Sequence, residues 1–133
     1  MNIPLLKKFI SPLQLKVTLE YCKGEEGQFF KDVLNELTER IEKMPKTYET
    51  DGQGLNAIVH LHYFKDGMNW WITEKDVDTD GEGQIQAFGL ADLFGDGGEL
   101  GYISIKELLE NNVELDYHFP PCPLKAAITF GNN

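Results

Sequence analysis

The sequence is poor in cysteine, with only Cys22 and Cys122 among 133 residues. They are separated by a hundred positions and form no C-x-x-C pair, so neither a disulfide framework nor a cysteine metal site is indicated. Cys122 lies in a P-P-C-P segment, where the favoured interpretation is a small apolar filler and not a catalytic nucleophile. A function based on cysteine is therefore not expected.

Long apolar runs and named catalytic motifs are also missing. No segment approaches the roughly 20 consecutive apolar residues of a membrane span. Lys7 and Lys8 interrupt the apolar start of the chain, whereas a signal peptide carries its charges before the apolar stretch. These absences predict a cytoplasmic protein. No Ser-His-Asp order, P-loop, G-x-G-x-x-G or H-E-x-x-H motif occurs.

Positive charge is scarce, since 12 Lys and Arg face 22 Asp and Glu, for a net charge of -10. Such a protein repels nucleic acid and anionic membranes and favours a partner with a basic surface. Hydrophobic residues make up 41% of the chain, which is enough for the core of one domain.

The negative charge is concentrated between Glu74 and Asp116, where twelve carboxylates face only Lys75 and Lys106. The rest of the chain is balanced. We call this stretch the acidic third; its carboxylates are Glu74, Asp76, Asp78, Asp80, Glu82, Asp92, Asp96, Glu99, Glu107, Glu110, Glu114 and Asp116. It marks where the field of the molecule is strongest.

The first fifty residues predict a strand and a helix. Apolar residues alternate with polar ones from Leu13 to Glu20, the period of a half-buried strand. From Gly27 the apolar residues recur at helical spacing, and Pro45 predicts that this helix ends near Lys43 or Met44.

Residues 55–125 predict a β-rich core. Segments 56–64 and 68–74 form a hairpin, 84–93 and 100–104 are further strands, and 113–119 is an extended piece before a proline-bound tail. Ser104 and Glu107 have capping-box spacing, which predicts a short helix from Ile105 to about Asn111. The predicted fold is a single α+β domain (1–133), mainly an antiparallel β-meander with one long and one short helix.

Two patterns resemble metal sites. The opening of a calcium loop is matched by Asp76, Asp78, Asp80 and Gly81. The match fails at Ala87, where a bidentate Glu would complete the shell, so a solvated acidic loop is favoured. His60 and His62 lie two positions apart on a predicted strand and so share a face, with His118 as a third candidate ligand; packed histidines are the favoured interpretation.

Glu74 and Glu99 adjoin aromatic or apolar residues, where burial disfavours the charged form of a carboxyl group. Together with Tyr102 and His62 they are the candidates for acid-base chemistry, provided that they converge in one cleft. Trp70 and Trp71 are adjacent, so on a strand they face opposite sides. One of them is expected at a surface or groove as an interface anchor, with core packing of both as the alternative.

Three segments then suggest a family: HYFKDGMNWWITEKD, QAFGLADL and GELGYISIKELLENNVELDYHFPPCPL. Together, from Tyr63 to Leu124, they resemble the domain of unknown function 2958 family, which is carried mainly on bacterial plasmids and prophages. The resemblance covers about half the chain and leaves out residues 1–50 and the acidic insertion 77–83. It implies association with a mobile element and no assigned activity.

The sequence therefore favours a small acidic accessory protein, without cofactor, that binds another protein. The predicted binding residues are Trp70, Trp71, Glu74, Asp76, Asp78, Asp80, Glu82 and Glu99. One alternative is a DNA mimic that inhibits a restriction, CRISPR or other DNA-processing protein. Its basis is that the distance between alternate residues of a strand is close to the length of about two base-pair steps of DNA. The other is a small enzyme or metal-binding protein.

Overall fold

The first 43 residues form three helices, α1 (Ile3–Leu6), α2 (Pro12–Tyr21) and α3 (Gly27–Lys43), in a computed structural model that describes residues 1–131. The long helix α3 is confirmed. Its apolar face is buried through Leu34, Leu37 and Ile41, and it ends before Met44 and Pro45.

The predicted strand from Leu13 to Glu20 is wrong, because this segment is helix α2. Pro12 occupies the first turn, where a missing N–H costs nothing. Leu15 and Thr18 are buried at helical spacing, while Leu13 and Val17 are exposed. Packing of α2 on the rest of the protein therefore decides between two periods that the leucines fit equally well.

Seven strands complete the β-rich part: β1 (Ile58–Val59), β2 (Leu61–Lys65), β3 (Met68–Glu74), β4 (Ala87–Asp92), β5 (Glu99–Ile103), β6 (Glu114–Leu115) and β7 (Cys122–Pro123). Five of them form an antiparallel sheet in the order β5-β4-β3-β2-β6, and β1 pairs with β7. The predicted hairpin is confirmed as β2 and β3, joined at Asp66 and Gly67, both with positive φ.

Two further helices lie beyond β5. The short helix α4 (Ile105–Glu110) is confirmed, with the Ser104 hydroxyl accepting a hydrogen bond from the Glu107 N–H at 3.1 Å. The proline-bound tail was predicted without a helix, yet Leu124–Gly131 forms α5. Leu124 and Ala127 are buried one helical turn apart, which gives this helix its packing face.

Both faces of the sheet are covered. On one face the main core unites residues of α1 to α4 with alternate sheet residues, including Trp70 and Ile72. On the other face a smaller core joins Trp71 and Leu90 to Leu124 of α5. The α+β fold is therefore confirmed. Strands β5 and β6 are the two edges of the five-stranded sheet.

Candidate functional site

Glu74 is a structural acceptor and not a free acid. It is 2% exposed and accepts hydrogen bonds from the N–H of Tyr48 at 2.8 Å, the N–H of Thr50 at 2.8 Å and the hydroxyl of Thr50. Both oxygens are occupied by donors from one loop, in which Tyr48 has a φ of +78°. The carboxylate thus fastens this loop to the end of β3.

Tyr102 lies in the same row of the sheet, since Glu74 pairs with Phe88 and Phe88 with Tyr102. Its phenol is exposed and lies 2.5 Å from the phenol oxygen of Tyr48. This hydrogen bond is the main cause that raises the pKa of Tyr102 above its ordinary value. A phenol held in this way is suited to binding and not to acting as a base near neutral pH.

Glu99 does not join them. It pairs with Ala91, three positions from Tyr102 along β5, so the two side chains point to opposite faces about 10 Å apart along the strand. His62 pairs with Trp71 in the middle of the sheet. The four candidate acid-base residues therefore do not converge in one cleft, and we drop the enzyme hypothesis that depends on them.

The histidines are packed or exposed and do not build a metal site. His62 Nδ1 lies 3.2 Å from Asp116 Oδ2, its Nε2 lies 2.8 Å from Asn69 Oδ1, and its ring stacks on Trp71. Burial, followed by the charge of Arg40, lowers the pKa of His60. Within residues 1–131, no group of three His, Cys, Asp or Glu residues could hold a metal ion.

A cavity of about 530 Å³ lies beside His62 and is lined by Asp116, Phe119 and Cys122 among others. The hydrogen bond with His62 is the main cause that lowers the pKa of Asp116. Burial alone raises the pKa of the Cys122 thiol, so this group is not activated as a nucleophile. In this cavity His62 and Asp116 are partners of each other.

The acidic loop, residues 76–83, is more ordered than the solvated loop that the sequence predicted. Asp76 accepts hydrogen bonds from the N–H groups of Asp78, Ile85 and Gln86. Asp78 accepts from the Gly83 N–H and pairs with Lys8. Partial burial opposes these bonds, but together they lower the pKa of Asp78.

The acidic third therefore has two kinds of carboxylate. Five are turned inward or half-buried: Glu74, Asp76, Asp78, Asp92 and Asp116. The other seven are exposed: Asp80, Glu82, Asp96, Glu99, Glu107, Glu110 and Glu114. Of the four carboxylates at 76, 78, 80 and 82, only Asp80 and Glu82 are exposed, so this segment does not present all four to solvent.

Neither tryptophan is an exposed anchor. Trp70 is 8% and Trp71 0% exposed, on opposite faces of the sheet as predicted. Of the two predicted arrangements, core packing of both tryptophans is the one observed, because both faces of the sheet are covered at this strand. Trp71 Nε1 is buried with no hydrogen-bond partner among the described residues.

The exposed apolar and acidic groups meet at β5 instead. This strand pairs only with β4, so its outer side has no neighbouring strand in the described part of the chain. Leu100 and Tyr102 are exposed on one face, Glu99 on the other, and Phe94 in the preceding turn is 86% exposed. We call strand β5 with the turn 93–98 the open edge.

The opposite edge of the sheet is closed by a side chain. Gln14 of α2 donates from Nε2 to the carbonyl oxygen of Leu115 at 2.8 Å and accepts at Oε1 from the Leu115 N–H at 2.9 Å. Its amide thus takes the hydrogen-bonding place of a neighbouring strand beside β6. The sequence predicted a strand at residues 100–104 but could not reveal that it is an edge.

Comparisons of the chain with models of protein families, with curated proteins and with solved structures give no match. The fold and the open edge are thus the basis for a proposal: residues 1–131 form an antiparallel α+β protein whose five-stranded sheet has no neighbouring strand beside β5. In the described residues, no helix is both long enough and apolar enough to cross a membrane.

Proposed function

We propose that this protein is a non-enzymatic accessory protein that binds a partner protein by adding an extended segment of that partner to its open edge. The observation that carries the proposal is β5 itself, five residues long and paired on one side only. Edge strands are commonly protected by charged side chains, especially Lys, by Pro or by a bulge; β5 contains no Lys or Pro, pairs in unbroken register and carries one charge, Glu99 at its start. An unprotected edge is a template for strand addition.

The charge around the open edge favours a basic partner. Asp96 and Glu99 are exposed there, and no Lys or Arg occurs between Leu93 and Ile105. Asp51 lies close enough to contribute to the raised pKa of Tyr102. A second copy of the chain would bring the same acidic groups against each other, which is unfavourable, so a segment with Lys or Arg fits better.

The aromatic groups supply the anchor for this segment. Tyr102 is held in place by its hydrogen bond with Tyr48, and Leu100 lies beside it on the same face of β5. A side chain that alternates toward this face of the added strand would pack on both. The backbone of the partner supplies affinity and these contacts supply selectivity.

The family, the genetic origin and the cellular location of the protein belong to the same proposal. The resemblance to the domain of unknown function 2958 family stays a prediction, as do its plasmid or prophage origin and a location in the cytoplasm. A mobile element commonly needs small proteins that engage host or element proteins, so an accessory role is compatible with that origin.

The experiment is a pull-down from a lysate of the source organism with three forms of the protein. The first is wild type, and the second carries Asp96→Asn and Glu99→Gln at the open edge. The third is the matched control, Glu107→Gln with Glu110→Gln, which removes the same charge from exposed positions on α4. We expect one protein to be captured by the wild type and the control and lost with the edge variant.

Salt provides a second criterion. Capture should weaken as ionic strength rises, because the exposed charges at the open edge are screened by salt. Equal capture by all three forms, or capture that does not respond to salt, would contradict the proposal. The control variant separates a role of the open edge from a general effect of negative charge.

A further inference from the structure

A large concave surface lies on the helices, away from the open edge. Helices α1 and α2 and the start of α3 enclose a groove of about 1160 Å³, which we call the helix groove. Apolar side chains line it, among them Ile10, Leu15 and Leu19. Neither the resemblance nor the proposed function assigns any role to this groove.

The helix groove is basic on an otherwise acidic protein. Four lysines line it, which is a third of all Lys and Arg in the chain: Lys7, Lys16, Lys23 and Lys31. Only Glu20 and Glu25 of the 22 acidic residues line it. Of the four lysines, only Lys23 forms an ion pair within residues 1–131, at 3.4 Å from Glu20.

Apolar surface continues from the helix groove over the outer side of α2. Leu13, Val17 and Tyr21 recur every fourth residue and are 61%, 43% and 56% exposed. Residues three or four positions apart on a helix are neighbours, so these side chains lie next to Lys16 and Glu20, which line the groove. Since Leu15 is buried on the inner side, α2 is apolar on both sides, a pattern typical of a helix that is covered on both sides.

We propose that the helix groove binds an amphipathic helix of a partner protein that carries acidic residues along the borders of its apolar face. A helix about 10 Å across and about 10 residues long occupies on the order of 1200 Å³, which matches the groove. Its apolar face would pack on Leu19, which is only partly buried, while its carboxylates would meet the lysines that line the groove.

The spacing of the lysines favours a helix over a single anionic headgroup. Lys16 lies in α2 and Lys23 lies in the turn just beyond its end, so the two lysines are on the order of 10 Å apart along the groove. Carboxylates seven residues apart on a partner helix repeat at this same interval. One headgroup would engage only one end of such a row.

A second copy of this chain is a poor occupant. Its long helix α3 is amphipathic, but the apolar residues Leu34, Leu37 and Ile41 are each 0% exposed in its own core. Release of α3 would expose this core, so a separate protein with a free helix fits the groove better.

The test uses the full chain and two fluorescent peptides of about 15 residues that carry leucines along one helical face. One peptide has glutamates beside the leucines and its twin has lysines. In fluorescence anisotropy, we expect the acidic peptide to bind and the basic twin not to bind. The variant with Lys16→Gln, Lys23→Gln and Lys31→Gln should weaken binding about tenfold, because three exposed charge pairs are lost.

The matched control carries Lys43→Gln, Lys46→Gln and Lys106→Gln, which removes the same charge from exposed positions outside the groove. It should bind like wild type, and circular dichroism should report the same fold for both variants. Equal weakening by the two variants, equal binding of the two peptides, or no binding of the acidic peptide overturns the proposal. Binding of phosphatidylglycerol vesicles without binding of the acidic peptide also overturns it, and assigns the groove to an anionic lipid.

Discussion

Thr50 donates two hydrogen bonds to the buried carboxylate of Glu74, one from its backbone N–H at 2.8 Å and one from its hydroxyl. Tyr48 adds a third from its backbone N–H at 2.8 Å. The phenol of Tyr48 then reaches Tyr102 on β5. One buried acid therefore fixes the loop that supports the aromatic part of the open edge.

Replacing Glu74 with Gln should destabilise the protein by about 1–3 kcal/mol, because an amide NH₂ would face donors and leave a buried group without a partner. Urea unfolding measures this change. The matched control is Glu99→Gln, an exposed carboxylate on β5, which should change the free energy of unfolding by less than about 0.5 kcal/mol. Similar losses in both variants would contradict the structural role of Glu74.

Gly89 and Gly101 pair across β4 and β5 but differ in the space around them. A Cβ at Gly89 would lie 1.9 Å from the carbonyl oxygen of Trp71, whereas at Gly101 it would meet no atom within 4 Å. Gly89→Ala should therefore cost about 3 kcal/mol or more, and Gly101→Ala less than about 0.5 kcal/mol. Thermal and urea unfolding of the two variants compare them directly, and equal stability would refute the close approach.

His60 should make stability depend on pH. Burial and Arg40 lower its pKa in the folded state, so the unfolded state, with its ordinary value near 6.5, binds more protons. The stability contributed by neutral His60 is complete above that value and is lost as the pH falls toward the folded pKa. We expect the free energy of unfolding to fall as the pH is lowered through about 6.5, and to fall less in His60→Gln.

Urea titrations at several pH values measure this difference. His118→Gln is the matched control, since it removes an exposed imidazole and keeps His60. If the variant at position 60 loses stability with pH as steeply as the wild type, the buried imidazole is not the source.

The cap of α4 allows a test by loss and recovery. Ser104→Ala removes the oxygen that accepts from the Glu107 N–H and should cost about 1 kcal/mol. Ser104→Asp should retain stability, because a carboxylate caps the same N–H and favours the positive end of the helix. Unfolding in urea reports both, and equal stability of the Ala and Asp variants would contradict the capping role.

Local patterns predicted the elements whose own residues decide their structure. Helix α3 follows from one apolar face and from Pro45 beyond its end, and the hairpin follows from Asp66 and Gly67 between two strands. Helix α2 could not be predicted in this way. Its leucines fit a period of two as well as a helix, and only burial of Leu15 and Thr18 against other elements decides the outcome.

The open edge depends on contacts that are distant in sequence. Residues 100–104 predicted a strand, but its position at the end of the sheet depends on the order of five strands. The closed edge depends on Gln14 and Leu115, which are 101 residues apart. Likewise, the neighbours of Glu74 in sequence suggested chemistry, whereas its donors lie 24 to 26 residues earlier.

The amide of Gln14 limits the number of sides on which the sheet can add a strand. A sheet with one free side can add a strand only on that side, so each copy of this protein takes part in one strand addition. A sheet with two free sides can grow in both directions, and growth of that kind leads to fibres. Because the side chain of Gln14 covers Leu115, growth of this sheet in both directions is disfavoured.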